Sequence, residues 1–537
     1  MADHTPAPHE CAPLLSSPSA ATLSDQVLID DESSISRLVL IKQELVWLVT
    51  SSVPLALSYF CQSSFAFVSM LNVGRLGVNE LAAASLAVMI INFVVMMPCV
   101  GLACALETFC STAFTASHDK TRVGFHMQRG LVAVTLQLVP TVLLFVYMDS
   151  ILQSIGQTEE VATLCGEFLR IWLLGSWPLV AFECLKRFVQ AQGIMQAGTW
   201  IMAVVAPIHF LMSRMLVWSD TIGIGFAGAP LATAITNWLL FLGLTGYIVC
   251  SKAKEAWGGF TLDCLDGIWE FYRLAIPSAA MMSCSWSAFE MVTFGSSMFG
   301  PVSLAAQACI FSAMSLTYQT PAAIGSAAAT RVGNSLGCGK QRRARFSAYI
   351  SMCIGYAVGM TCSLMLFLNR HRWGYMYSDD EEVVTLCSKL MPYFAAVQTY
   401  DGMNGLVAGI LRALGKQSLG AILAFPSFWI LAVPIAFYLG MGPPHLEVIG
   451  LWLGLAVGVI LYSLAQQCYI LFYIDWRHEV KVCLDRLARS TKNLDPVQSR
   501  IAAGGSDDGM YRTPVTRTSS SSSSSSSPTT DNYGTLV

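Results

Sequence analysis

Apolar residues fill twelve long stretches of this chain, and polar residues gather between them. The stretches lie near 45–73, 81–107, 124–148, 163–193, 199–218, 225–250, 275–299, 303–328, 346–369, 384–411, 419–440 and 447–475. About 20 mostly apolar residues cross a bilayer as a helix. The pattern therefore predicts an all-α membrane protein of twelve transmembrane helices. Pro54, Pro98, Pro178, Pro207, Pro277, Pro321 and Pro434 fall inside the stretches. Membrane helices carry such kinks where neighbours satisfy the freed carbonyls.

The short connections sort by charge. Lys120 and Arg122, Lys186 and Arg187, and Arg331, Lys340, Arg342, Arg343 and Arg345 fall at the ends of spans two, four and eight. Arg477, Lys481, Arg486 and Arg489 follow span twelve, whereas the alternate connections are acidic or nearly uncharged, as at Glu159–Glu160 and Asp379–Glu382. Arg370 and Arg372 are the main exceptions. Basic loops stay in the cytosol, so both termini are expected there.

The chain matches itself at an offset of 223. Pro54 pairs with Pro277, Gly77 with Gly300 and Pro98 with Pro321, and Gly77-Val-Asn-Glu-Leu-Ala-Ala83 returns as Gly300-Pro-Val-Ser-Leu-Ala-Ala306. At 222 residues, Gly193 pairs with Gly415 and Gly228 with Gly450. Six spans are thus followed by six of the same pattern and orientation. Such a parallel repeat can enclose a central cavity and rock about it.

Composition narrows the function. Of 537 residues, 54% are hydrophobic and 12% charged, half the charge of a soluble domain. A net charge of −3 gives no field that would draw nucleic acid. The 17 cysteines show neither zinc-type nor redox spacing and read as small core residues. No cofactor or metal site is expected. The expected organisation is a disordered cytosolic tail over 1–43, a six-helix bundle over 44–250, a cytosolic linker over 251–274, a second bundle over 275–476, and a cytosolic tail over 477–537. That last tail is disordered from about 493 and contains the serine run Ser519–Ser527.

Candidate chemistry lies in two isolated acids. Glu290 is the single charge between Leu274 and Gly300, and the repeat places Phe67 at its counterpart, so the acid belongs to the second half alone. Helical spacing puts Ser283, Ser287, Thr293 and Ser297 on its face and Trp286 one turn away. An ionised carboxylate at mid-membrane costs on the order of 2.5–3.5 kcal/mol. It persists where it meets water, pairs with a cation, or carries a proton. The reading is a wet face and a group that exchanges protons, against the blander one of an acid kept protonated for a helix contact. Asp401 is the second, sharing a stripe with Gln398 and Asn404 at i−3 and i+3. Gly402, Gly405 and Gly409 are expected to loosen that helix. The bland alternative for this stripe is interhelical hydrogen bonding.

Other polar residues read differently. Glu183 precedes Lys186 and Arg187 at i+3 and i+4, the spacing of an intrahelical ion pair with a structural or gating role. Glu107 is expected at the cytosolic interface. Asn92 and Gln307 are lone polar residues at helix midpoints, free either to line a cavity or to bond a neighbour.

These motifs resemble the multidrug and toxic compound extrusion (MATE) family, in a eukaryotic branch of fungal or plant type. Arg331-Val-Gly-Asn-Ser-Leu-Gly-Cys-Gly339 is similar to the family's stretch after span eight. Ala105-Leu-Glu-Thr-Phe-Cys-Ser-Thr-Ala-Phe114 resembles the one after span two. Trp257-Gly-Gly-Phe260 and Gly409-Ile-Leu-Arg-Ala-Leu-Gly-Lys-Gln417 match the linker and the end of span ten. The resemblance covers about residues 40–480. It implies two six-helix bundles, V-shaped around a central cavity, and export of organic solutes in exchange for protons. It places coupling acids at Glu290 and Asp401 and a cavity-lining residue at Asn92. Ser111-Thr112, Thr115, Ser285 and Ser312 depart from the family pattern, with Ser285 and Ser312 standing where the animal branch has further acids.

The function expected is a proton-coupled antiporter working by alternating access, with coupling by Glu290 and Asp401 and cargo contacts from Trp286, Asn92, Gln307, Gln398 and Asn404. Its partners would be protons, a small and in some cases cationic organic solute, and the bilayer; a monomer is expected. A lipid or lipid-precursor flippase would need a basic cavity, for which Arg214 is the chief candidate. A membrane enzyme lacks its motifs, since no HExxH, GxxxxGK[ST] or metal cluster occurs, and the one GxSxG spacing, Gly333-Asn-Ser-Leu-Gly337, falls in the stretch after span eight rather than at the strand-to-helix turn of a nucleophile elbow. Glu10-Cys-Ala-Pro-Leu-Leu15 and Tyr533-Gly-Thr-Leu536 fit short sorting signals. They tilt the expected location toward a vacuole-type membrane over the plasma membrane.

Overall fold

The computed structural model describes residues 36–117 and 119–492. Most of the N-terminal tail, the tail beyond 492 and both sorting-type signals lie outside the described residues. All regular structure among those described is helical. The first half contributes α1 (Arg37–Val73), α2 (Asn79–Ala116), α3 (Thr121–Val146), α4 (Glu159–Ala191), α5 (Gln196–Trp218) and α6 (Gly225–Cys250). The second contributes α7 (Ile268–Ser297), α8 (Pro301–Gly337), α9 (Gln341–Leu368), α10 (Glu381–Leu414), α11 (Gln417–Met441) and α12 (Glu447–Tyr473). A short amphipathic helix, α13 (Trp476–Lys492), follows.

Nine of the twelve are long and apolar enough to cross a membrane by themselves. The exceptions are α7, α8 and α10. At 30, 37 and 34 residues they run about 45–56 Å, long enough to cross, but they are more polar. The helices that hold Glu290, Gln307 and Asp401 are thus the ones whose composition departs from a lipid-facing span.

Local chemistry sets the boundaries. The Ser36 hydroxyl accepts from the Val39 N–H at 3.4 Å, so α1 begins at Arg37 rather than at the expected residue 44. Helix α7 likewise begins at Ile268, behind Gly267 in the left-handed region, and shortens the expected linker. The stretch Asn92–Val100 of α2 is a π-helix around Pro98, which has no N–H to give to the α-helical ladder. Immediately beyond it, Gly101 lies so close to the Ala279 backbone of α7 that a Cβ would collide.

The two halves form two six-helix bundles. In the first, α5 packs on α1 and α6, and α4 on α2, α3 and α6; in the second, α10 packs on α8, α9 and α12, and α11 on α7 and α12. The halves meet where α8 and α9 lie on α1, and where α7 and α8 lie on α2. The repeated glycines gain a physical cause. Gly193 and Gly415 both take left-handed φ values, 80° and 72°, to turn the chain after α4 and α10. Gly228 meets Leu216 of α5 and Gly450 meets Leu439 of α11, contacts that are themselves 223 residues apart.

The linker is docked rather than loose. The Gln128 amide of α3 donates to Gly259 O at 2.6 Å and accepts from Thr261 N–H at 3.1 Å. Arg129, 2% exposed, donates to Cys264 O at 3.1 Å and to Asp266 O. Gly258 leaves room for Thr121, and Gly259 takes φ 90°, which explains both glycines between Trp257 and Phe260.

Candidate functional site

The two isolated acids stand on α7 and α10, with α8 between them. Trp286 is 38% exposed and meets Tyr318 of α8 edge-on, centroids 6.3 Å apart. The Tyr318 hydroxyl stands over Gly405 of α10, where a Cβ would lie 2.5 Å from it. Tyr318 thus connects the helix face one turn from Glu290 with the face one turn from Asp401. Glu290 is half-buried, and Asp401 is 6% exposed. Neither carboxyl makes a hydrogen bond or ion pair among the described residues.

The glycines of α10 do not loosen it, contrary to the sequence expectation. The helix is unbroken from Glu381 to Leu414. Gly402 receives the Pro321 ring, Gly405 receives Tyr318, and Gly409 lies against the Gly325 carbonyl. They are small because α8 crosses there, the usual reason for small residues between membrane helices.

The remaining candidates divide. Gln307 is 1% exposed; its amide accepts from Trp452 Nε1–H at 2.8 Å and donates to Thr293 at 3.3 Å. Of the two roles open to it, it takes the bonding one, bracing α7, α8 and α12, and offers cargo no free polar atom. Asn404 donates to Val459 O of α12 at 3.4 Å, while its carbonyl oxygen has no partner. Gln398 is fully buried with neither amide atom bonded. On α12, the Tyr462 hydroxyl and the Gln466 amide share this condition. Asn92 is half-buried at the start of the π-helical stretch that packs on α7.

A second constellation ties the two halves together. Glu183 receives Lys186 at 2.7 Å and Arg187 at 2.6 Å. Arg187 also approaches Glu107 at 3.7 Å, and Glu107 takes Arg412 of α10 at 2.7 Å. Glu107 is therefore not an interfacial acid but a 7% exposed bridge between the bundles. Beside it, Gln417 donates to Thr108 at 2.7 Å and Thr115 to Asn334 O at 2.9 Å. Glu44 of α1, fully buried, binds Arg331 at 2.6 Å and lies 3.4 Å from Arg343. Lys416 binds Glu479 of α13 at 2.9 Å. The stretches 105–114 and 331–337, expected after spans two and eight, are helical extensions that carry these contacts.

The geometry can be compared with known proteins. A family model, MatE, matches residues 54–215 and 277–438, two windows separated by the same 223 residues as the internal repeat. The chain belongs to the MatE family. An uncharacterized transporter of Schizosaccharomyces pombe is 32% identical over 82% of this chain and 81% of its own length. Protein DETOXIFICATION 16 of Arabidopsis thaliana is 29% identical over 87% and 95%. The crystal structure of the eukaryotic MATE transporter AtDTX14 superposes with a TM-score of 0.77, at 26% identity, covering 83% of this chain and 98% of that one. Membership makes this MatE chain a multi-pass membrane transporter rather than an enzyme, with twelve spans in two bundles.

Sequence reasoning missed Tyr318, Tyr462, Gln466, Glu44 and the role of Arg412. Arg412 had a signal, because a guanidinium eight residues from Asn404 inside a glycine-rich span needs a partner. Glu44 had little, because it reads as the polar margin of a span.

Proposed function

We propose that this transporter exports organic solutes in exchange for protons by alternating access, with Glu290 and Asp401 as the proton-exchanging groups. The observation that carries the reading is a contrast between these two acids and the buried glutamates. Glu44, Glu107, Glu183 and Glu479 each sit on a lysine or arginine. Among the described residues, Glu290 and Asp401 sit on none. A paired carboxylate must break an ion pair to take a proton, whereas an unpaired one need not. Both acids lie on the polar helices of the second half, and Trp286, one turn from Glu290, has an exposed indole that can receive the apolar or cationic part of a cargo.

The cycle then follows from charge. With the acids ionised, a cargo binds from the cytosol. The bundles rock, protons from the far side neutralise the carboxyls, and the cargo leaves. The latch of Glu107, Arg412, Glu44 and Arg331 lies at the end to which we assign the cytosol, so this conformer is read as closed there. Unbonded buried amides at Gln398 and Gln466 support a rearrangement of α10 against α12, because each such group costs about 1–3 kcal/mol while idle. Lys186, Arg187 and Arg412 are held by acids, which leaves them poor receptors for an anionic cargo. The chain is proposed to act as a monomer in a vacuole-type or plasma membrane, with both termini cytosolic.

The test is cargo flux driven by a pH gradient in proteoliposomes. Glu290→Gln is expected to abolish the response to the gradient while leaving the melting temperature unchanged. A normal rate with an unchanged pH profile would remove Glu290 from the cycle.

A further inference from the structure

A cavity of about 630 Å³ opens beside the latch, where α9 begins and α12 ends. Its chemistry is unlike that of the bundle interior. Among the described residues, Arg37, Arg342, Arg345 and Arg477 line it, with Asp475 as the carboxylate. That carboxylate is engaged, accepting from the Arg477 N–H at 3.0 Å as the cap of α13. Arg345 lies over the Tyr349 ring at 5.3 Å, and Tyr349 meets Trp476 edge-on at 6.4 Å. Trp476 is 6% exposed and lines the cavity, yet its indole N–H has no acceptor. A buried donor without a partner is uncommon. Set among guanidinium groups, it calls for an oxyanion.

The position selects the source of that oxyanion. The cavity lies at the end of a membrane span, and Leu471, Phe472 and Tyr473 beside it are 44%, 78% and 77% exposed. These apolar side chains offer a surface for acyl chains directly next to the basic cavity. We propose that this cavity binds the headgroup of an anionic phospholipid, its phosphate held by the arginines and by Trp476 Nε1–H. Basic pockets between helices at the cytoplasmic side are suited to such headgroups. Arg37 belongs to the first half and the other three arginines to the second. A bound phosphate therefore joins the halves next to the Glu44–Arg331 pair and favours the latched arrangement.

The inference needs the membrane-spanning fold but not proton coupling, so it is tested by binding without cargo. The purified full chain in detergent is titrated by native mass spectrometry with dioleoyl phosphatidic acid, dioleoyl phosphatidylcholine and soluble glycerol 3-phosphate. Phosphatidic acid is expected to bind at least tenfold more tightly than phosphatidylcholine and to raise the melting temperature. The double change Arg345→Gln with Arg477→Gln is expected to erase that preference. Trp476→Phe, which keeps the ring and removes only the donor, is expected to weaken phosphatidic acid roughly threefold to tenfold, the range of one hydrogen bond. Equal binding of the two lipids overturns the proposal. So does an unchanged affinity in Trp476→Phe, should the arginine variant fail to fold. Glycerol 3-phosphate binding as tightly as the lipid overturns the lipid assignment in favour of a soluble organophosphate.

Discussion

Removing the charge of Glu107 should open the latch without dismantling either bundle. Glu107 holds Arg412 at 2.7 Å across the bundle boundary and attracts Arg187 at 3.7 Å within its own half. In Glu107→Gln, Arg187 keeps its 2.6 Å bond to Glu183, so the loss falls on the contact between halves. One charge-assisted hydrogen bond between mostly buried groups contributes about 1.5–3 kcal/mol. At 1.4 kcal/mol per factor of ten, the ratio of unlatched to latched molecules should rise roughly 10- to 150-fold. Spin labels at Gln196 and Ser418 report this. Both positions are exposed, at the starts of α5 and α11, and they are related by the 222-residue repeat. In an otherwise cysteine-free chain, the distance between the labels should shift from a short to a longer population by that factor. An unchanged distance distribution would mean that Glu107–Arg412 does not hold this end closed. A loss of folded protein would mean that it holds the fold instead.

Three further changes test the packing. Trp452→Phe leaves the Gln307 carbonyl buried without its 2.8 Å donor, and should cost about 1–3 kcal/mol in thermal unfolding. Pairing it with Gln307→Leu should recover part of that loss. Gly409→Ala drives a Cβ into the Gly325 carbonyl, so α8 and α10 must part at a cost of about 1–3 kcal/mol, read as a lower melting temperature. Arg331→Ala leaves the fully buried Glu44 with Arg343 at 3.4 Å as its one cation among the described residues, and is expected to cost about 3–5 kcal/mol, seen as poor recovery of folded protein. Glu44→Gln in the same chain should restore much of it, since the uncompensated charge is then gone.

Sequence alone determined the features that repeat or that lipid enforces. Twelve apolar stretches had to become helices, because a backbone inside a bilayer must satisfy its own hydrogen bonds. The 223-residue offset fixed two like halves, since Gly193 and Gly415, or Gly228 and Gly450, meet the same turn and the same crossing twice. It also singled out Glu290 and Asp401, because a lone acid in an apolar run is conspicuous along the chain. What sequence could not supply was partnership. Glu107 and Arg412 are 305 residues apart and Glu44 and Arg331 are 287 apart, so their pairing exists only once the bundles meet. The same holds for Gln307, whose two hydrogen-bond partners lie on other helices, and for the glycines of α10, which serve a crossing helix instead of a bend. Local pattern fixes which residues are buried in helices; only the packing of the two halves decides which acids meet a cation and which do not.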